Sequence, residues 1–220
     1  MVRYVIALIA VIACSVVTTT AFGAPKGFFI GGGLVSRTTS GDLDGKSTLV
    51  DSAATVAGSV GKIDNGTGFS FDIGYNFTNH FGLEYMEAST IHTANHTGEP
   101  NTTDAVISTG LAGVRLSAGL GDHFDVFARL GVAVGAVSYD QYGHKIATGS
   151  NDTFTLTGGG YGYGVGAEAV FGKHLGFGIG YTVYNVTFSE GDIAGTTVKI
   201  KKKQPSAQFQ TPDFTFLYHF

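Results

Sequence analysis

Over residues 69–77, bulky apolar and small or polar side chains alternate without a break. Phe69, Phe71, Ile73, Tyr75 and Phe77 stand against Ser70, Asp72, Gly74 and Asn76. Residues of one parity share a face of a strand, so a period of two predicts a strand with one wholly apolar face. The same period recurs along the chain and predicts eight strands, at 28–37, 69–77, 81–92, 105–118, 124–139, 154–171, 175–188 and the closing stretch to Phe220. In that last stretch Phe214, Phe216, Tyr218 and Phe220 form an aromatic ridge, with Asp213, Thr215 and His219 on the other face. Each apolar face must meet either a second protein layer or a lipid. Lipid is acceptable to a strand when its backbone groups are all paired inside a closed barrel.

The connections decide between these. Those after the first, third, fifth and seventh strands are long and polar, whereas 79–80, 119–123 and 172–174 are tight turns. Alternating short turns and long loops is the asymmetry of a bacterial outer-membrane barrel, with the turns on the periplasmic side. The expected fold is therefore all-β: an eight-stranded antiparallel up-and-down transmembrane barrel with short periplasmic turns and four longer extracellular loops. An even strand number places both barrel termini in the periplasm.

Residues 1–23 read as a cleaved secretory leader, leaving 24–220 as the barrel domain. Arg3 is the one charge of the leader, 4–17 are its apolar core, and Ala21 and Gly23 suit cleavage before Ala24. That core falls short of the ~20 residues that a transmembrane helix needs. Val11-Ile12-Ala13-Cys14 also satisfies a loose lipoprotein box, so lipidation at Cys14 stays open as an alternative. With ordinary cleavage the mature chain has no cysteine and no thiol chemistry.

Thirty-four glycines, no tryptophan and 14% charged residues fit strands and turns with few surface ion pairs. Seventeen acids against thirteen bases argue against nucleic acid as a partner. The charges inside the predicted strands are more telling. Asp72, Glu84, Arg115, Asp125, Arg129, Glu168 and Asp213 each fall opposite the apolar ridge of their strand. A basic side chain facing the bilayer midplane would cost about 2–4 kcal/mol, an acidic one less. Glu87 is the exception and is expected at the outer rim. A hairpin folded about Glu99-Pro100 sets Glu84 level with Arg115, and one about Thr148-Gly149 sets Arg129 level with Glu168. Two interior acid–base pairs, Glu84–Arg115 and Arg129–Glu168, are expected from these registers. An eight-stranded barrel is just wide enough to be filled by its own side chains, which favours a structural role for them over ion conduction.

The leader, the eight strands, the turn rhythm, the inward Glu84, Arg115, Arg129 and Glu168 and the aromatic terminus together resemble the small eight-stranded outer-membrane barrels. That family includes the OmpA transmembrane domain, OmpX and the opacity-type surface proteins. The resemblance implies an outer-membrane location in a Gram-negative bacterium and contacts with outer-membrane lipids and lipopolysaccharide. It also implies that Phe214, Phe216, Tyr218 and Phe220 serve as the signal read by the barrel-assembly machinery. It implies adhesion to host surfaces or receptors, or a structural role in the membrane. It stops at Phe220, so no cell-wall anchoring is expected, and the missing tryptophan leaves Tyr and Phe to form the interfacial girdle.

No catalytic residues, cofactor or metal are expected. Asp42-Leu43-Asp44-Gly45 hints at a calcium loop but lacks the third ligand and closing glutamate. The inward glycines at 160–166 and 176–180 make room for bulky residues such as Phe127 and Tyr184 rather than cradle phosphate. Lys199, Lys201, Lys202 and Lys203 lie in an external loop and are candidates for contact with polyanions, either lipopolysaccharide phosphates or a sulfated host polymer. One alternative is a lipopolysaccharide-modifying, deacylase-like enzyme using Ser89 and His96. Another is a small-solute channel.

Overall fold

A computed structural model describes residues 24–43, 48–49, 58–59, 62–95, 102–121, 123–140, 153–172, 174–193, 196–200 and 204–220. The leader and Cys14 lie outside the described residues. Twelve strands form: β1 (Gly27–Gly41), β2 (Thr48–Leu49), β3 (Gly58–Ser59), β4 (Lys62–Ile63), β5 (Gly66–Asn76) and β6 (Phe81–Asn95). They continue with β7 (Thr102–Gly119), β8 (Phe124–Asp140), β9 (Thr153–Phe171), β10 (Leu175–Ile193), β11 (Thr196–Lys199) and β12 (Ser206–His219). Eight of these, β1, β5 to β10 and β12, pair antiparallel with their neighbours, and β12 closes onto β1. The protein is an eight-stranded up-and-down barrel, as its periodicity predicts.

The stagger is readable from the pairing. Starting at Ile30, successive partners are Ile73, Tyr85, Ala112, Val132, Tyr161, Asn185 and Gln208. Gln208 then pairs with Ser40, ten residues beyond the start. Such a stagger tilts the strands by roughly 35–45° and leaves an interior that side chains fill.

The two faces separate by parity. Phe28, Leu34, Phe69, Leu83, Leu130, Val132, Tyr161, Ile179, Phe216 and Phe220 are exposed on the outside. All seven charged residues predicted to face inward are buried. Large apolar residues remain exposed on a closed sheet because the surrounding solvent is acyl chain, not water. The C-terminal ridge is continuous, with edge-to-face contacts at 5.2 Å between Phe214 and Phe216 and 4.9 Å between Tyr218 and Phe220. Phe220 also lies 5.3 Å from Phe28, across the seam where the barrel closes.

Several strands run further than their hydropathy suggests. β6 continues to Asn95 and β10 to Ile193, while β4 pairs with the far end of β6 and β11 with that of β10. These extensions are rich in Thr, Asp and Asn, so their alternation in hydropathy is faint although backbone pairing persists. The registers also differ from those expected. Glu84 stands opposite Gly113 rather than Arg115, a slip of two residues, and Arg129 stands opposite Gly164 rather than Glu168, a slip of four. Both slips are even, so every side chain keeps its face. A bulge at Ser189 absorbs one residue on β10.

Candidate functional site in the barrel interior and mouth

Three levels of polar groups fill the barrel between its turn end and its loop end. Nearest the turns, Arg115 donates from Nη2 to Glu168 Oε2 at 2.6 Å, and His219 Nε2 lies 2.7 Å from Glu168 Oε1. One carboxylate on β9 thus joins β7 to β12. The Arg115 guanidinium lies 4.1 Å from the Phe127 ring centre. Asp125 is buried at the same level, with Oδ1 lacking a protein partner.

The next level centres on Arg129. Its Nε lies 3.1 Å from Glu84 Oε1 without hydrogen-bond alignment, and its Nη1 points at the Met86 sulfur and at Thr182 Oγ1. Asp72 on β5 and Asp213 on β12 are also buried in the interior. The four charged residues singled out in the sequence are therefore all interior, but their partners are exchanged. The ion pairs are Arg129–Glu84 and Arg115–Glu168, not Glu84–Arg115 and Arg129–Glu168. Each pair skips a strand, because the strand tilt brings side chains to one height from different rows of the ladder.

Arg37 forms the third level and was overlooked, although it shares the parity of the inward Val35. It is fully buried, and among the described residues its hydrogen-bond partners include no carboxylate. Nε donates to Thr211 Oγ1 at 3.2 Å, Nη1 to the Ile107 carbonyl at 2.8 Å, and Nη2 to Thr109 Oγ1 at 2.6 Å and the Ala88 carbonyl at 3.3 Å. The guanidinium lies 5.8 Å from the Tyr184 ring centre and 5.7 Å from that of Phe209. Four neutral acceptors and two rings take the place of a counter-ion.

Beyond Arg37 the described interior becomes largely apolar, with His92 buried there 2.8 Å from Thr90 Oγ1 and 2.8 Å from the Asp64 carbonyl. Ala94, Ala105, Val137, Leu156, Val186, Phe188, Ala207 and Phe209 pack together, and Leu43 and Ile63 enter the same cluster from outside the wall. Ile200 packs on it from the far end of β11. Gly41 at φ +103° turns the chain inward from β1. Asp42 then fastens it, accepting from Ser206 N at 2.9 Å and Ser206 Oγ at 3.4 Å. Asp44 and Gly45 of the same motif lie outside the described residues. Among the described residues no group of three His, Cys, Asp or Glu side chains is placed to hold a metal.

The remaining candidates are scattered. Ser89 Oγ is 3.1 Å from Ser108 Oγ on the outer face, and His96 lies outside the described residues. Glu87 is exposed among apolar neighbours and accepts from Tyr85 Oη at 3.3 Å. Lys199 ends β11 and is exposed, whereas Lys201, Lys202 and Lys203 fall outside the described residues. The glycine stripes face bulky side chains, as the spacing suggested. A Cβ on Gly166 would run into the Phe127 ring, and one on Gly180 into the Asp213 carboxylate.

A closed eight-stranded wall, an aromatic outer belt and a buried charged interior define an outer-membrane architecture, and residues 6–204 match the family model described as the outer membrane protein beta-barrel domain. The chain belongs to this outer-membrane β-barrel family. Solved structures of similar shape agree. OprG from Pseudomonas aeruginosa matches with TM-score 0.57 at 15% identity over 91% of this chain and 99% of its own. Neisserial surface protein A matches with TM-score 0.54 at 13% identity over 90% and 99%. Ail of Yersinia pestis, bound to the heparin analogue sucrose octasulfate, matches with TM-score 0.52 at 14% identity over 89% and 99%. A sequence comparison with curated proteins finds no match. As a member of the family, the protein sits in the lipid bilayer of a Gram-negative outer membrane.

Proposed function

We propose that this barrel is a non-enzymatic surface protein whose activity lies in its long loops, through adhesion or a structural role in the membrane. The supporting observation is the filled interior. Leu43, Ile63, Phe188 and Phe209 close the loop end with apolar side chains, and the arginine–carboxylate levels fill the rest. A conduit for polar solutes needs a continuous polar, hydrated path, and among the described residues the loop end is packed mainly with apolar side chains. In this reading residues 1–23 are a cleaved leader, both barrel termini are periplasmic and the loops face outward. The aromatic ridge ending at Phe220 is the signal for the barrel-assembly machinery.

For the loops the favoured partner is a polyanion, either lipopolysaccharide phosphate or a sulfated host polymer, met by Lys199, Lys201, Lys202 and Lys203. Ail, similar in fold, has been captured with a heparin analogue. Deleting residues 196–205 is expected to weaken retention on a heparin surface, with the intact protein's binding falling steeply as salt rises. Equal retention of both forms sets the lysine run aside. Planar bilayers containing the full barrel are expected to stay electrically silent, and steady conductance steps would favour a channel. The enzyme alternative has less support, because Ser89 is hydrogen-bonded to another serine rather than to a base.

A further inference from the structure

Each of the three tight turns ends on a histidine followed by a large apolar residue. His80 precedes Phe81, His123 precedes Phe124 and His174 precedes Leu175, each at the start of a strand leaving the turn. Their backbone bonding repeats as well. Ser117 N donates to the His80 carbonyl at 3.0 Å, Val170 N to that of His123 at 2.7 Å, and His219 N to that of His174 at 2.7 Å. Each turn is thereby fastened to the end of the next hairpin round the barrel. In two of them the imidazole follows. His80 Nδ1 lies 3.2 Å from the Ser117 carbonyl, and His174 Nδ1 lies 2.7 Å from the His219 carbonyl. A carbonyl can only accept, so Nδ1 carries the hydrogen and Nε2 is the basic nitrogen.

All three histidines are exposed at the edge of the apolar belt, where Phe77, Phe81, Phe124, Phe171, Leu175 and Tyr218 end. The His174 ring lies flat on Tyr218, with centroids 5.6 Å apart and planes at 15°. Aromatic residues at this height mark the boundary between acyl chains and headgroups. An imidazole stacked there reaches phosphate oxygens.

We propose that His80, His123 and His174 form a pH-dependent contact ring for anionic phospholipid phosphates in the leaflet at the turn end of the barrel. Protonation at Nε2 gives each turn a second donor and a positive charge, which a phosphodiester oxygen accepts as a charge-assisted hydrogen bond. Other charged groups stand near. Asp125 is within electrostatic reach of His80 from inside the barrel. His174 is backed by the His219 backbone and the Tyr218 ring. His219 is itself held by Glu168, which Arg115 also pairs. His123 is backed by Val170 of β9. Lys26 precedes β1 at the same end, and Asp122 and Lys173 share two of the turns in sequence. Which leaflet this is rests on the orientation proposed above, and protease access to the long loops in intact cells tests that orientation separately.

The test uses the full barrel refolded into two kinds of vesicle, pure phosphatidylcholine and phosphatidylcholine with one-third phosphatidylglycerol. The readout is the midpoint temperature of heat-induced unfolding at pH 5.5 and pH 7.5. Contributions from the barrel interior are common to both vesicles and cancel in the difference between them. For the unaltered protein the acidic midpoint should gain roughly 5 °C in the phosphatidylglycerol vesicles over its change in phosphatidylcholine. His80→Asn, His123→Asn and His174→Asn together keep a donor near Nδ1 and remove the imidazole, and should abolish that gain. An equal pH response of the unaltered protein in both vesicles overturns the proposal. So does a gain that survives in the triple variant. Should the triple variant fail to refold, each single variant should lose about a third of the gain, and undiminished gains in all three refute the ring.

Discussion

Arg115 and Arg129 stand directly opposite each other on β7 and β8, and each finds its carboxylate elsewhere. Between them lies the ring of Phe127, 4.1 Å from one guanidinium and 4.8 Å from the other. Like charges directly opposed on a ladder repel. Here the repulsion is relieved because the side chains part, Arg115 crossing β8 to Glu168 and Arg129 crossing β7 to Glu84. The two ion pairs therefore tie β6, β7, β8 and β9 into a braced wall.

Breaking one brace should be costly. Glu168→Gln leaves Arg115 without its counter-charge inside the barrel and is expected to destabilise by about 3–5 kcal/mol. Adding Arg115→Met should restore a large part, because no unpaired charge then remains. Urea unfolding in lipid vesicles, followed by the gel-mobility difference between folded and unfolded forms, reads both.

Double-mutant cycles separate the true partners from the level-row expectation. Glu84 and Arg129 should couple by at least about 1 kcal/mol, whereas Glu84 and Arg115 should couple by less than about 0.5 kcal/mol. Strong coupling of the second pair would mean that the registers of β6 and β7 differ from those described.

Gly166→Ala is expected to destabilise by about 1–3 kcal/mol, because the new methyl meets the Phe127 ring. Phe127→Leu in the same chain should recover part of the loss by vacating that space. A fully additive pair would show that the ring is not what excludes the methyl.

Glu87 faces outward within an apolar neighbourhood and accepts a hydrogen bond from Tyr85. Glu87→Leu should stabilise the folded barrel in vesicles by up to about 2 kcal/mol, since a lipid-facing carboxylate is exchanged for an apolar group. Unchanged or lowered stability would place Glu87 in headgroup water.

The apolar closure at the loop end is a packed core, not a loose cover. Phe188→Ala should cost about 3–5 kcal/mol in the same unfolding measurement, as expected for a large ring removed from a filled site. A loss below about 1 kcal/mol would mean that the cluster collapses around the gap.

How much of this was legible beforehand follows from what a period of two encodes. Parity assigns a side chain to lipid or interior wherever apolar and polar residues alternate, so Phe69 to Phe77, the ridge ending at Phe220 and the inward placing of Asp72, Glu84, Arg115 and Glu168 were all readable. Arg37 shares that parity and was within reach of the same reasoning, had the first strand been carried past it. Pairing in the interior was not readable. Parity survives any even slip, whereas partner choice depends on where the long loops fold and on a tilt that brings Glu168 to Arg115 from two strands away. Leu43, Ile63 and Ile200 were equally silent in the sequence. They lie beyond the alternating segments, and what makes them core residues is the curvature that returns Gly41, β4 and β11 to the barrel mouth. Local alternation determined which side of the wall each residue faces, and the closure of the barrel decided whom it meets there.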